Sequence, residues 1–411
     1  MNPTGTRVWI AGVGMTPFGV HRDTSVYDLV RWAVTDALRD ADASQDVLDV
    51  VFYGAATQGL LQGQHMIAGE IAMRQLGIQA IPVFNVENAC ATGSSAFTLA
   101  VAHVRAQAAD VALAVGAEKM HIGDAERSMA LFDTGYDVRD RAALTKTLYD
   151  LGGDVDEPDL GTRSIFMDIY AAMARSHMRQ YATTREQIAA VAAKNHAHAV
   201  DNHRAHYRKA MSVDDVLVAR RLSFPLTVPM CAPLTDGAAA VIVCNDSGLQ
   251  KIGGRSGVQV LAAVMGTGSD RDISTFDDHL SARVAARAYE SAGISPGEVD
   301  LAEVHDATAF GEILQTEMLG LVPAGDGGPA AERGDTSLGG RLPVNPSGGL
   351  ESKGHPIGAT GLGQLFELTQ QLRGRAGTRQ VEGARIALAE NGGGFHRGEE
   401  AVASVVLLGK A

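Results

Sequence analysis

The stretch Asn85-Val-Glu-Asn-Ala-Cys-Ala-Thr-Gly-Ser-Ser-Ala-Phe97 decides how the rest of the chain is read. An apolar approach breaks at small residues and resumes with helical spacing through Leu99, Ala100 and Val104, which sets Cys90 at the start of a helix. Unpaired N–H groups and the positive dipole end favour thiolate over thiol there, so Cys90 is a candidate nucleophile. A further stretch, Lys353-Gly-His-Pro-Ile-Gly-Ala-Thr-Gly-Leu-Gly-Gln-Leu-Phe366, has the same turn-then-helix form with His355 in the place of the cysteine. In both copies a glycine follows three residues on, Gly93 and Gly358. One turn written twice, with a nucleophile in one copy and a base in the other, points to covalent catalysis.

The duplication extends outward. Val8-Trp-Ile-Ala-Gly-Val13 reads as a buried strand, and Gln259-Val-Leu-Ala-Ala-Val264 repeats it 251 residues later. At the same offset, Asp49-Val-Val-Phe-Tyr-Gly-Ala-Ala-Thr57 matches Asp300-Leu-Ala-Glu-Val-His-Asp-Ala-Thr308. A helix-period segment precedes each second strand, marked by Val26, Leu29, Val30, Ala33 and Ala37 in one half and by Val284, Ala288 and Ala292 in the other. Each half closes on a continuous apolar strand, Ala238 to Cys244 and Val402 to Leu408. Unalternated apolar strands between helices require sheets covered on both faces, hence stacked α and β layers.

Cys90 and His355 stand 265 apart, so the halves differ by local insertions. The larger asymmetry is a stretch over roughly 119–225, after a strand at Val111 to Val115. It is rich in Met, His and Arg, with helix-like spacing around Met167 to Tyr181 and Glu186 to Val200. Long inserts on a rigid scaffold form substrate-binding loops, and this one is expected to cover the entrance to the site. The domains are read as 1–118 with 226–252, the insert 119–225, and 253–411. Glycine clusters near Gly253, Gly327 and Gly339 read as surface connections, the first as the boundary.

Composition narrows the class of function. A length of 411 residues favours two similar domains. The 35 Lys and Arg against 48 Asp and Glu leave a charge of −13, which argues against a nucleic-acid footprint while allowing local basic patches for a phosphorylated ligand. Three scattered cysteines, Cys90, Cys231 and Cys244, fit neither a disulfide framework nor a zinc site, so no metal is expected and the latter two are read as structural. There is no apolar run of membrane-spanning length, no leader, and no peroxisomal address in Gly409-Lys410-Ala411, so a cytoplasmic protein away from membranes is expected.

With these residues in place the chain resembles the thiolase superfamily over nearly its whole length. The match rests on Asn88-Ala-Cys-Ala-Thr-Gly-Ser94, on Asn345-Pro-Ser-Gly-Gly-Leu350 with Gly354-His-Pro-Ile-Gly-Ala-Thr-Gly361, and on Asn391-Gly-Gly-Gly394. His305-Asp306 and Cys231-Ala-Pro-Leu-Thr-Asp-Gly-Ala-Ala239 are most similar to its sterol-carrier or lipid-transfer branch. The resemblance implies a duplicated five-layered α-β-α-β-α fold, an insert that grips coenzyme A, and a homodimer or dimer of dimers. It implies that Cys90 attacks the 3-keto carbon of an acyl-CoA, that an acyl-CoA enolate leaves, and that free CoA takes the acyl group. No permanently bound cofactor is implied; CoA is a substrate. His355 would take the Cys90 proton, an imidazole titrating near neutrality being matched to that transfer. His305 would hold the thioester oxygen and stabilise the enolate, and Cys90 and Gly392 would donate the N–H groups of an oxyanion hole. Asn345 and Gly393 are read as substrate-binding.

One departure matters. The family's second cysteine, in Cys-x-Gly-Gly-Gly, is Glu390 here, and the branch's cysteine beside His-Asp is Ala307. Glu390, His305 or a water must then move the enolate proton. A degradative role on an unusual acyl-CoA, aromatic, branched or steroid, is expected. Two alternatives stand beside it: a retro-aldol carbon–carbon lyase on steroid side-chain CoA esters, and a non-catalytic acyl-CoA-binding subunit. A small zinc-ribbon and OB-fold partner, as some relatives have, fits either.

Overall fold

The computed structural model describes residues 5–153, 163–253 and 257–411. The first half contains β1 (Trp9–Met15), α1 (Val26–Asp40), β2 (Val50–Gly54), β3 (Val83–Val86), α2 (Thr92–Arg105) and β4 (Val111–Glu118). Helices α3 (Ile165–Tyr181) and α4 (Arg185–Ala199) follow in the insert, and β5 (Gly237–Cys244) closes the half. The second half runs β6 (Val258–Thr267), α5 (Leu280–Ala292), β7 (Leu301–Glu303), α6 (Ala309–Met318), α7 (Thr360–Leu372), β8 (Ile386–Gly393) and β9 (Val402–Lys410).

The nine strands form one mixed sheet in the order β3-β2-β4-β5-β1-β6-β9-β8-β7. Its two halves mirror each other about the seam between β1 and β6, where Trp9 faces Gln259 in an antiparallel bridge. Outward from the seam the pairings in the first half are antiparallel, antiparallel, parallel, parallel. The second half repeats them, and its last position is taken by a single parallel bridge between Ala302 and Val344. The strand pairs read from the constant offset are therefore structural equivalents, with Val50 and Leu301 opening β2 and β7.

Both faces of β1, β2, β4, β5, β8 and β9 are buried, as unalternated strands require, while the edge strand β3 is exposed. In β4, Val111, Leu113 and Val115 pack with α1 residues Leu29, Val30, Ala33 and Ala37. Ala112 and Ala114 point the other way, into a core shared with Phe97, Ala100 and Val104 of α2 and Leu362, Leu365 and Leu368 of α7. That same core takes Ala387 and Ala389 of β8, while Leu388 faces Val284 and Ala288 of α5. The layers thus run helix, half-sheet, central α2 and α7, half-sheet, helix. Ser25 caps α1, its hydroxyl accepting the Asp28 N–H, and α5 stops at Gly293, whose φ is +68°.

The insert helices pack on the second half: Ile169, Met173, Ile188 and Val191 meet Phe310 and Ile313 of α6. Within that contact His177 Nε2 and Glu317 lie 2.9 Å apart with both side chains buried. One expectation fails here. The Gly327 cluster is no surface connection; Gly327 and Gly328 are buried in a short helix, Gly327–Glu332, with the Gly327 N–H donating to Glu317. Gly339 is an open turn position with φ +82°. Among the described residues no helix is long and apolar enough to cross a membrane.

Candidate active site

Cys90 occupies a single 3-10 turn, Ala89–Ala91, that runs directly into α2. Ala89 is held at φ +47°, a left-handed conformation that costs a residue with a Cβ about 1 kcal/mol and needs outside support. Asn88 supplies it, donating its N–H to Thr92 Oγ1 (2.8 Å) and its amide to Ser95 Oγ (2.9 Å). Ser94 Oγ then donates to Asn391 Oδ1 at 2.9 Å, tying the turn to β8 of the opposite half.

His355 is fixed from both ends. Its N–H donates to Thr235 Oγ1 at 2.7 Å, and its Nδ1 lies 2.6 Å from Thr360 Oγ1. The Thr360 hydroxyl gives its single proton to the Pro356 carbonyl, so its oxygen must accept from Nδ1–H. The lone pair is therefore on Nε2, where a base needs it.

The two glycines that first paired these turns are where they touch. A Cβ on Gly93 would come within 2.8 Å of the Gly358 carbonyl oxygen, and one on Gly116 of β4 within 2.0 Å. Buried Glu118 staples the contact, accepting N–H groups from Ala56 (2.6 Å), Thr57 (3.1 Å) and Gly358 (3.1 Å).

His305 follows β7 and completes the cluster. Cys90 Sγ and one ring nitrogen each of His305 and His355 all lie within 4.8 Å of one another, and the two imidazole rings are 5.2 Å apart. Both ring nitrogens of His305 are buried without a hydrogen-bond partner among the described residues. Two nitrogens and a sulfur at this spacing could also hold a soft divalent ion. Burial sets the protonation states. It pushes the Cys90 thiol up to about 12, with the Glu118 and Glu87 carboxylates adding to the rise against N–H groups of Gly394 and Cys90 that lower it. It lowers His305 to about 4 and holds His355 well below the usual imidazole range, where His305 and Lys353 push it further. Desolvation thus favours the neutral thiol and neutral imidazoles, against the thiolate that the helix end by itself would favour.

The trio opens on a cavity of about 720 Å³. Most of its wall comes from residues of 119–225: Met129, Phe132, Phe166 and Met167 give an apolar lining, and Arg163, Lys209 and Arg220 add cations. Ala307 lines it where the branch carries a thiol. Two lining residues escaped the sequence reading. Cys231, read as structural, reaches the wall and is bridged by backbone to Thr308, and Tyr170 enters from α3. Cys231 carried no motif of its own, and Tyr170 was indistinguishable by spacing from the apolar positions of its helix.

Other candidates do not reach the cavity. Glu390 Oε2 accepts the His305 N–H at 3.0 Å, which places the carboxyl behind that residue, and burial with the Glu400 and Asp306 charges raises it well above the ordinary carboxylate range. Gly392 also lies behind, since a Cβ there would stand 2.8 Å from Glu400 Cγ and 3.3 Å from His305 Nδ1; Gly394 is the glycine of that run on the wall. Gly393, read as substrate-binding, instead lets β8 lie against the Cys90 turn, with room for no Cβ 2.5 Å from the Asn88 carbonyl. Asn345, read likewise, is fully buried, its amide donating to Glu312 (2.8 Å) and its oxygen accepting the Val304 N–H (2.9 Å). Cys244 is buried in β5.

Comparison with known proteins shows the family. The chain matches the family described as thiolase, N-terminal domain over residues 8–215, and thiolase C-terminal domain-like over 269–407. It belongs to the thiolase family and is a thiolase-type acyltransferase. An acetyl-CoA acetyltransferase of Methanothermobacter thermautotrophicus is 38% identical, covering 94% of this chain and 96% of that one. Sterol carrier protein 2 of Homo sapiens is 36% identical over 94% of this chain and 69% of its own length. The benzoylsuccinyl-CoA thiolase subunit BbsB of Thauera aromatica is 32% identical over 94% and 95%. Among solved structures, an Ltp2-ChsH2(DUF35) aldolase superposes with a TM-score of 0.78 at 22% identity, each chain covered to 98%. Human mitochondrial 3-ketoacyl-CoA thiolase in complex with CoA gives 0.71 at 16%, with 99% of this chain and 98% of that one covered.

Proposed function

We propose that the chain cleaves or forms 3-ketoacyl-CoA thioesters through an acyl-enzyme on Cys90, with free CoA as acceptor. The observation that carries the reading is the juxtaposition of Cys90 Sγ with His305 and His355 at the head of one cavity. His355 Nε2 takes the Cys90 proton as sulfur attacks the 3-keto carbon; the neutral pair makes this a general-base step rather than attack by a standing thiolate. His305, with its unpartnered nitrogens, holds the oxygen of the departing thioester enolate. The N–H groups of Cys90 and Gly394 reach the sulfur, and in this reading they hold the acyl oxyanion, the role expected of Cys90 and Gly392.

The division into 1–118 with 226–252, 119–225 and 253–411 provides two catalytic halves and an insert that holds CoA. Lys209 and Arg220 are exposed at the cavity wall, where CoA phosphates would pass, and the Met and Phe lining suits a bulky, aromatic or branched acyl group in a degradative reaction. Similarity to a benzoylsuccinyl-CoA thiolase subunit supports that substrate class, and similarity to a DUF35-containing aldolase complex supports a small partner subunit. The retro-aldol alternative uses no acyl-enzyme, which the Cys90 and His355 pairing disfavours.

Mass spectrometry after incubation with acetoacetyl-CoA and benzoylsuccinyl-CoA, with CoA withheld, tests the proposal. An acyl mass increment on the Cys90 peptide is expected, absent in Cys90→Ala. Turnover without any such adduct would favour the lyase, and neither adduct nor turnover the non-catalytic subunit.

A further inference from the structure

The proposed acyl transfer leaves one proton without a carrier. When the bond between Cα and the 3-keto carbon breaks, its electron pair goes to the thioester enolate, whose Cα must be protonated, yet Ala307 stands at the expected thiol position and Glu390 lies behind His305. Of the protic side chains on that wall that the mechanism has not used, Cys231, Ser164 and Tyr207 among them, Tyr170 is the one that packs against the same Gly311 as the His305 carbonyl. It is 5% exposed, lines the same cavity as Cys90, His305 and His355, and its hydroxyl makes no hydrogen bond with any described residue. Its place beside His305 is set by α6. A Cβ on Gly311 would lie 3.6 Å from Tyr170 Cε1 and 3.1 Å from the His305 carbonyl oxygen. Burial keeps the phenol protonated, and the Glu400 carboxylate adds to that rise.

We infer that the Tyr170 hydroxyl is the acid that protonates Cα of the leaving acyl-CoA enolate, and the base that removes that proton in the condensing direction. The inference rests on the proposed acyl-enzyme chemistry. The proton balance closes within the trio: Cys90 gives its proton to His355, Tyr170 gives its own to Cα, and the imidazolium of His355 returns one to the tyrosinate. His355 is then neutral again for the CoA thiol that releases the acyl group, and Cys90 sulfur leaves as thiolate to recover that thiol's proton through His355. No redox partner is needed.

Two half-reactions separate this role from that of Cys90. Exchange of labelled CoA into acetyl-, propionyl- and succinyl-CoA requires acyl transfer to Cys90 but breaks no carbon–carbon or carbon–hydrogen bond. Exchange of their α-protons in D2O requires the carbon acid step. In Tyr170→Phe, which keeps the ring and its packing, α-deuterium incorporation is expected to fall about 100-fold or more, the range of one lost general acid. Labelled CoA exchange is expected to stay within about threefold, since no donor to the sulfur is touched. Wild-type deuterium incorporation in Tyr170→Phe overturns the assignment, as does its loss in Cys231→Ala with Tyr170→Phe unaffected, which would move the role to the other thiol on the wall. A fall in both exchanges with an unchanged melting curve makes Tyr170 a substrate-positioning residue and equally overturns it. Failure of the wild-type chain to exchange CoA or deuterium with any of the three esters counts against the acyl-enzyme reading and removes the inference with it.

Discussion

At the residue scale the site sets a half-buried thiol beside two buried imidazoles. With Cys90 pushed up to about 12 and His355 held low, little thiolate exists at neutral pH in the free protein. A thiol below its pKa gains about tenfold in thiolate per pH unit, so alkylation of Cys90 by iodoacetamide should climb steadily from pH 7 to 9. A rate already flat from pH 6 upward would reveal a thiolate–imidazolium pair and refute the assignment; peptide mass mapping against pH distinguishes the two. The sequence paired Cys90 with His355 and the structure brings them together; helix-end charge is legible from spacing, and desolvation is not. Glu390 shows the same limit: its position in the glycine motif suggested contact with substrate, and only the folded strand shows its carboxyl on the far side of His305.

At the element scale the two turns are held by contact between backbones. Gly116 of β4 faces the Gly358 carbonyl so closely that a methyl group has no room, and neither partner is a side chain able to swing aside. Gly116→Ala should destabilise the protein by about 3 kcal/mol and separate the turns. Thermal melting should show the loss, and turnover should fall even at temperatures where the variant remains folded. Turnover at the wild-type level would mean that the turns do not need this contact. The sequence announced Gly93 and Gly358 by their matched spacing. Gly116 carried no such signal, being one small residue in an apolar strand whose neighbour across the layer comes from 242 positions further along.

At the scale of the whole molecule the mirrored sheet leaves one edge open. Among the described residues β3 pairs only with β2, and the segment from Phe84 to Asn88 is largely solvent-facing, with Phe84 47% exposed and stacked on Phe52. An unprotected edge carrying an aromatic residue is a ready template for a second copy. Because this strand leads straight into the Cys90 turn, pairing there would stiffen the nucleophile's support. Sedimentation should find a dimer for the wild-type chain and a shift toward monomer for Phe84→Glu. An unshifted distribution in the variant would place the interface elsewhere.

What the amino-acid sequence determined by itself was the doubled architecture and the two chemical partners. Periodicity, constant offset and the glycine-flanked turns are local signals that burial on both sheet faces imposes directly on residue order. Tertiary structure alone decided which groups face the cavity and in what charge state. Tyr170, Cys231 and Gly394 come to one wall from an insert helix, a loop and a strand end, and Glu390, Gly392 and Asn345 turn away from it. Proximity across 80 to 265 residues and the cost of burying charge are properties of packed layers, and no short stretch of chain encodes them.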